Sequence, residues 1–208
     1  MRVSVIATGI ANTASVEAAF MRLGAEVEHT TDAVIVERAR AVVLPGVGSF
    51  GAGMEVIRRL GLDDLLRERV RQGRATLAVC LGLQLLCRGS EESPGVEGLG
   101  VLDAVARRFP DTVSVPQFGW NGVRAGEGSQ LIEDGYAYFA NSYRLGEEEG
   151  APGDGWACAM TDYAGPFIAA IERGAVLGCQ FHPEVSGAWG QALLERWLAR
   201  VSAEAGSC

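Results

Sequence analysis

Thr76-Leu-Ala-Val-Cys-Leu-Gly-Leu-Gln-Leu-Leu-Cys87 is the stretch on which the fold turns. Thr76 to Val79 is a β-branched and apolar run without polar alternation, the pattern of a strand buried on both faces, as a parallel sheet requires. The chain then turns at Cys80-Leu-Gly82 and continues as Leu83 to Cys87, which reads as a short apolar helix. A buried strand that feeds directly into a helix is the repeating unit of an α/β sheet.

The same alternation extends towards the N-terminus. Arg2 to Ala7 reads as a first strand. Asn12 or Thr13 caps a helix whose Val16, Ala19, Phe20 and Leu23 fall on one face, and Gly24 ends it. Ala25 to His29 and Ala39 to Leu44 read as the second and third strands, and residues 52–72 as mostly helical, with Met54, Ile57, Leu60, Leu62, Leu65, Leu66 and Val70 in register. Beyond residue 95 the helical period fades and short β-like runs take over at Val113–Val115, Tyr136–Ala140, Trp156–Met160, Phe167–Glu172 and Ala175–Phe181. A closing helix follows, with Ser186 as its cap and Trp189, Leu193 and Trp197 stacked at four-residue intervals. The expectation is one α/β domain over residues 1–208: an open, mostly parallel sheet flanked by helices, with additional antiparallel strands, and a ligand crevice at the carboxyl ends of the strands.

Composition bounds the function. The 208 residues are 48% hydrophobic and 21% charged, values of an ordinary globular chain. A formal net charge of -8 with pI ≈ 4.9, and no basic patch in the sequence, argues against nucleic acid or an anionic membrane as partner. No stretch approaches the ~20 apolar residues of a membrane span, and the first residues lack a signal peptide's continuous apolar region, so a cytoplasmic location is expected. The five cysteines, Cys80, Cys87, Cys158, Cys179 and Cys208, are odd in number and lack the paired spacing of a zinc site, so reduced thiols and no bound metal or other cofactor are expected.

Three features carry chemistry. In Ala78-Val-Cys-Leu-Gly82 a thiol sits between a buried strand and a helix, with small residues two places before and after it, as a nucleophile elbow needs. A helix start also favours the thiolate. Read alone, Cys80 is equally a small buried hydrophobe. A cysteine nucleophile wants an imidazole, and the chain has 2 histidines. His29 reads as an exposed edge residue. His182 stands in Gln180-Phe-His-Pro-Glu184, where Pro183 biases it towards an extended backbone and Glu184 can hold one ring nitrogen while the other faces a sulfur. A surface His-Pro turn with a solvated glutamate is the alternative. Finally, the glycines of Leu44-Pro-Gly-Val-Gly-Ser-Phe-Gly51 let backbone N–H groups converge on an anion, as in an oxyanion hole. The same letters spell G-x-G-x-x-G, but that dinucleotide fingerprint belongs after a first strand, with an acidic residue ending the next one, and here it follows the third.

Together, the elbow at Cys80, the His-Pro-Glu at 182–184 and the glycine loop at 44–51, in that family's order, resemble the class I glutamine amidotransferases. The likeness extends over almost the whole chain, through Cys80-Leu-Gly-Leu-Gln84, the segment Val115–Asn121, Tyr138–Tyr143 and Gln180–Gly187. Within the family it is closest to the glutaminase subunits of imidazole glycerol phosphate synthases, enzymes of histidine biosynthesis. The resemblance implies a flavodoxin-like sheet and a catalytic triad of Cys80, His182 and Glu184. It implies an oxyanion hole from Gly46, Val47, Gly48 and Leu81, and glutamine held by Gln84, Glu92, Ser142 and Tyr143. By themselves Gln84 reads as a solvated helix position and Glu92 as a charge in an acidic loop. The implied partner is a cyclase subunit of (β/α)8-barrel type, which joins ammonia to a phosphorylated ribulose intermediate, and Asn12, Trp120 and Asn121 match segments near that interface. Trp120 reads equally well as core. Departures from the pattern include Ala78 for a usual glycine, Gln117 and Asn141 for usual histidines, and Val185 for a lysine that contacts the partner.

Overall fold

The computed structural model describes residues 1–9, 13–146 and 155–205. In chain order its elements begin with β1 (Arg2–Ile6), α1 (Thr13–Arg22), β2 (Glu26–Thr30), α2 (Ala33–Arg38), β3 (Val42–Leu44), α3 (Phe50–Arg59), α4 (Asp63–Arg71), β4 (Thr76–Val79) and α5 (Leu81–Leu85). There follow β5 (Cys87–Ser90), β6 (Leu102–Arg108), β7 (Gln117–Val123), β8 (Gly135–Asn141), β9 (Tyr143–Arg144), β10 (Ala157–Asp162), β11 (Pro166–Arg173) and β12 (Val176–Cys179), then a 3-10 turn at Pro183–Val185 and α6 (Gly187–Ala205). None of these helices is long and apolar enough to cross a membrane.

The central sheet runs β10-β11-β12-β4-β3-β1-β2. β12, β4, β3, β1 and β2 are parallel, while β11 pairs antiparallel with both β12 and β10. The parallel part has the flavodoxin-like order, and β4 is the middle strand of the whole seven-stranded sheet. Strand alternation divides the side chains between two cores. Val3, Val5, Val43, Leu77 and Val79 pack with Phe20 of α1, Leu193 and Trp197 of α6, and Phe139 of β8. Ile6, Val42, Leu44 and Ala78 pack on the other face with Met54 and Ile57 of α3, Leu66 and Val70 of α4, and the leucines of α5. With both faces covered, the even apolar run of β4 is what the geometry demands.

The structure refines several boundaries. The helical stretch 52–72 is two helices, broken where Gly61 takes a φ of 67° and the N–H of Leu62 turns back to the Ile57 carbonyl. β3 begins at Val42, because Ala39 closes α2, a helix capped by Asp32, whose side chain accepts from the Val34 N–H at 2.8 Å. α5 starts at Leu81 directly after Cys80, and Cys87 already belongs to β5. Val113–Val115 forms no strand, while β5, β6, β7 and β9 occur where no strand was expected. Ser186 does not cap α6: its hydroxyl donates to the His182 carbonyl at 2.6 Å and accepts from the Tyr138 N–H at 2.9 Å. That bond pins the β7–β8 hairpin to the turn that carries His182.

Candidate active site

β4 delivers Cys80 to the carboxyl edge of the sheet. Its backbone leaves the strand at φ 52°, ψ -109°, a conformation that costs a non-glycine residue of order 1–3 kcal/mol and persists only where surroundings enforce it. The enforcement is visible: the Cys80 N–H donates to the Cys179 carbonyl at 2.7 Å, and α5 is pressed against β3 so closely that a Cβ on Gly82 would lie 2.1 Å from the Leu44 oxygen. Only glycine at 82 lets α5 start so close to the sheet.

β12, the parallel neighbour of β4, brings His182 to the same edge. The His182 backbone is extended at φ -103°, ψ 93°, and the 3-10 turn that follows folds Glu184 back beneath the ring. Nδ1 of His182 and Oε1 of Glu184 are 2.8 Å apart, with both side chains about nine-tenths buried. On the other side the ring shares the lining of one cavity with Cys80, whose influence it feels. Burial pulls the imidazole pKa down, but the hydrogen bonds and charges of Cys80 and Glu184 outweigh it and raise the pKa from 6.5 to about 10. An imidazole oriented by a carboxylate beside a thiol is placed to exchange a proton with it.

A cavity of about 300 Å³ opens over Cys80, lined by Val47, Gly48, Leu81, Gln84, Glu92, Ser142, Tyr143 and His182. A second, of about 290 Å³, lies behind it and is bounded by Ser15, Tyr138, Glu184 and Val185; the two share Val47, Ala140 and His182. A larger hollow, about 500 Å³, lies among Met1, Arg2, Glu28, Arg38 and Ser202, with no cysteine or histidine in its lining, whereas the cavity over Cys80 has both.

Within that space most of the residues singled out from sequence meet, though not always in the expected roles. The Leu81 N–H, expected as an oxyanion donor, donates to the Gly46 carbonyl at 3.3 Å. The Gly46 Cα comes so near that a Cβ would sit 2.6 Å from both the Gly82 nitrogen and the Leu81 Cβ. Glu92 lines the cavity, but its Oε2 accepts from the Phe50 N–H at 2.6 Å, and Ser93 Oγ accepts from the Gly51 N–H at 2.9 Å. The first turn of α3, which a dinucleotide phosphate would need, is thus satisfied by side chains. Gln84 is buried rather than solvated, and its Nε2 donates to the Tyr143 carbonyl and to Gln180 Oε1, each at 3.0 Å. Ser142 and Tyr143 frame the cavity wall.

Trp120 is 57% exposed, which removes the core reading. With Phe118 and Tyr136 it forms an apolar outer face on the β7–β8 hairpin, beside Val185 at the rim of the rear cavity. Asn121 turns inward, its Nδ2 donating to the Asp162 carbonyl at 2.6 Å. Asn12 lies outside the described residues. His29 is on the edge strand β2, 2.9 Å from Glu17 and away from the site. Gln180, which donates to the Cys80 sulfur at 3.7 Å, was not singled out from sequence; its place two residues before His182 was the one available signal.

A thiol on an elbow, an imidazole in the same cavity and a carboxylate bonded behind the imidazole make an arrangement suited to amide hydrolysis, and comparison with known proteins agrees. Residues 4–201 match the family described as glutamine amidotransferase class-I. The chain belongs to the class-I glutamine amidotransferases. It is 39% identical to the imidazole glycerol phosphate synthase subunit HisH of Geobacillus thermodenitrificans, covering 96% of each chain. It is 40% identical to that of Escherichia coli strain K12, covering 95% of this chain and 99% of the relative. Among solved structures, one described as a glutamine amidotransferase superposes with a TM-score of 0.75 at 23% identity, over 96% of this chain and 98% of that one. The structure of PurLQS from Thermotoga maritima superposes at 0.68 and 16% identity, over 98% of each chain. These two likenesses speak for the fold. As a family member, the chain is a glutamine-hydrolysing amidotransferase.

Proposed function

We propose that this chain is the glutaminase subunit of an imidazole glycerol phosphate synthase, working in the cytoplasm as one domain and passing ammonia to a (β/α)8-barrel cyclase. The observation that carries the chemistry is the meeting of Cys80 and His182 in one cavity, with Glu184 bonded behind the ring, at the carboxyl edge of two adjacent parallel strands. The ionised sulfur of Cys80 attacks the side-chain amide carbon of glutamine, and the electron pair of the carbonyl moves to oxygen. The tetrahedral oxyanion is held by backbone N–H groups of Leu81 and the Gly46–Gly48 loop. The C–N bond then breaks, and ammonia leaves with the proton of His182, while a γ-glutamyl thioester remains on Cys80. Water, deprotonated by His182, attacks the thioester through a second oxyanion and releases glutamate together with the thiolate. Glu184 keeps the ring oriented and balances the imidazolium. Gln84, Glu92, Ser142 and Tyr143 grip the amino-acid end of the substrate, with the Glu92 carboxylate suited to its ammonium.

Ammonia set free in water would be protonated and lost as a nucleophile, so the reaction calls for a closed path to a second protein. The apolar face of Phe118, Trp120, Tyr136 and Val185, large and exposed around the site, suits such a partner. The test is co-purification with the cyclase, followed by an assay of glutamate release with and without it. Release by the complex that disappears in Cys80→Ala, with the fold retained, supports the reading; release that survives the substitution refutes it.

A further inference from the structure

Gln180 follows β12 and has no solvent exposure. Its backbone is fixed by the N–H bond to the Ala169 carbonyl at 2.8 Å, and its side chain lies between two residues of the site. Oε1 accepts from Gln84 Nε2 at 3.0 Å, and Nε2 donates to Cys80 Sγ at 3.7 Å. Which end of an amide faces which neighbour follows from the hydrogen-bond network, and here the network leaves no choice. Gln84 spends its NH2 group on the Tyr143 carbonyl as well as on Gln180, so it presents a donor to Gln180. Gln180 must answer with oxygen, and its NH2 group is then turned to the sulfur. Reversal would set two NH2 groups against each other and an amide oxygen against the nucleophile.

The sulfur has a contrary neighbour in the Ala140 carbonyl, 3.8 Å away, which accepts from S–H and so favours the neutral thiol. We propose that Gln180 is a positioning residue for the nucleophile: its amide N–H offsets the Ala140 carbonyl, favours the ionised sulfur and holds it in line with the cavity. A donor gains strength when its acceptor becomes charged, whereas a carbonyl facing a thiolate loses its bond. The chain Tyr143 carbonyl, Gln84, Gln180, Cys80 therefore ties a residue of the substrate pocket to the attacking atom through hydrogen bonds of one polarity.

The inference rests on Cys80 as the nucleophile, and its test is separable from that reading. Alkylation of Cys80 by iodoacetamide, followed by mass spectrometry of its peptide, is measured from neutral to alkaline pH in the parent protein, Gln180→Leu and Gln180→Glu. In Gln180→Leu the rate at neutral pH falls about tenfold, as expected for loss of one hydrogen bond to a charged group. It rejoins the parent's rate in alkaline solution, where any thiol is ionised. Gln180→Glu keeps the volume and the bond from Gln84 but offers the sulfur no amide donor, so its neutral rate falls at least as far. A profile superimposable on the parent's in a folded variant, or a fall that persists undiminished at alkaline pH, overturns the proposal. If the leucine variant does not fold, the glutamate variant is judged by the same two criteria. Absence of glutamate release from the parent with its cyclase would instead strike the glutaminase reading, whatever these profiles show.

Discussion

Cys80→Ala should change the protonation of an imidazole. In the intact site burial lowers the His182 pKa, and four influences raise it: the hydrogen bond with Cys80, that with Glu184, and then the charges of Cys80 and Glu184 in the same order. Cys80 and Glu184 both push the ring towards the protonated form, and together they overcome burial. Removal of the sulfur leaves the contact with Glu184 at 2.8 Å intact and should lower the titration midpoint by about 1–3 pH units, the ordinary effect of losing one close opposite charge. The direction is that of a cation losing an anionic partner. The assay is ¹⁵N and ¹H NMR of the ring; the chain's other histidine, His29, is assigned by substitution and serves as internal reference. The parent should show an imidazolium at neutral pH that titrates near 10, and the variant a much earlier transition. A neutral His182 ring in the parent at pH 7, or an identical midpoint in the variant, would refute the paired arrangement. The same sign governs catalysis: the proton that ammonia takes is present below about 10 and is lost as pH rises through that value, so turnover by the complex should fall across that limb.

Glu184→Gln keeps a hydrogen bond to Nδ1 but removes the charge, and kcat for glutamine hydrolysis by the complex should fall roughly tenfold to a hundredfold, less than for Cys80→Ala; unchanged turnover removes Glu184 from the mechanism. Arg69 is 1% exposed, and its guanidinium holds Thr76 Oγ1 and the carbonyls of Val36, Ala39, Arg40 and Ala75, tying α2 and α4 to the bottom of β4. Burial and the nearby Arg74 lower its pKa to about 10. Arg69→Met would strand those acceptors and should cost about 3 kcal/mol or more in urea denaturation, with a loss below about 1 kcal/mol counting against the account. Gly82→Ala places a Cβ 2.1 Å from the Leu44 oxygen, a backbone atom that cannot step aside, and should lose about 3 kcal/mol; Gly122→Ala meets only Tyr136 at 4.0 Å and should stay within about 0.5 kcal/mol. Equal midpoints for these two glycine variants in the same denaturation series would show that α5 can retreat from β3 at no cost.

The parts of the fold that sequence revealed are those whose hydrophobicity follows burial. β4 and β12 are buried along their length, so an apolar run marked both. α2 escaped notice because Ala33-Val-Ile-Val-Glu-Arg38 is too short for a period and rich in β-branched residues; its signal was the capping Asp32. Residues 52–72 read as a single helix because the leucine spacing passes through Gly61 unbroken, while the φ of 67° there ends the hydrogen-bond ladder. β6 buries Leu102, Ala104 and Ala106, and the alanines are too small to stand out against Val105 between them. β7 is inverted: Gln117 and Val123 point inward while Phe118 and Trp120 point to solvent, so its alternation contradicts the usual rule. The contradiction is itself informative, since it leaves apolar side chains exposed on the open face of a hairpin beside the Cys80 cavity, the face proposed above for the partner.

The site divides along a similar line. Cys80, His182 and Glu184 could be read because each sits in a local pattern, an elbow and a His-Pro-Glu turn, that constrains its neighbours within a few residues. The second layer could not, because it is assembled from bonds across long stretches of chain: Gln180 to Cys80 over 100 positions, Gln84 to Gln180 over 96, Glu92 to the Phe50 N–H over 42. The last of these also bears on the dinucleotide reading of the glycine loop. In a phosphate-binding loop the first N–H groups of the following helix are left open for the ligand. Here Glu92 and Ser93 bind those of Phe50 and Gly51, and a negative side chain at the position would repel a phosphate. Val47 and Gly48 of the same loop line the Cys80 cavity, which agrees with the oxyanion role proposed above for the loop, at the sulfur where charge appears during attack on an amide.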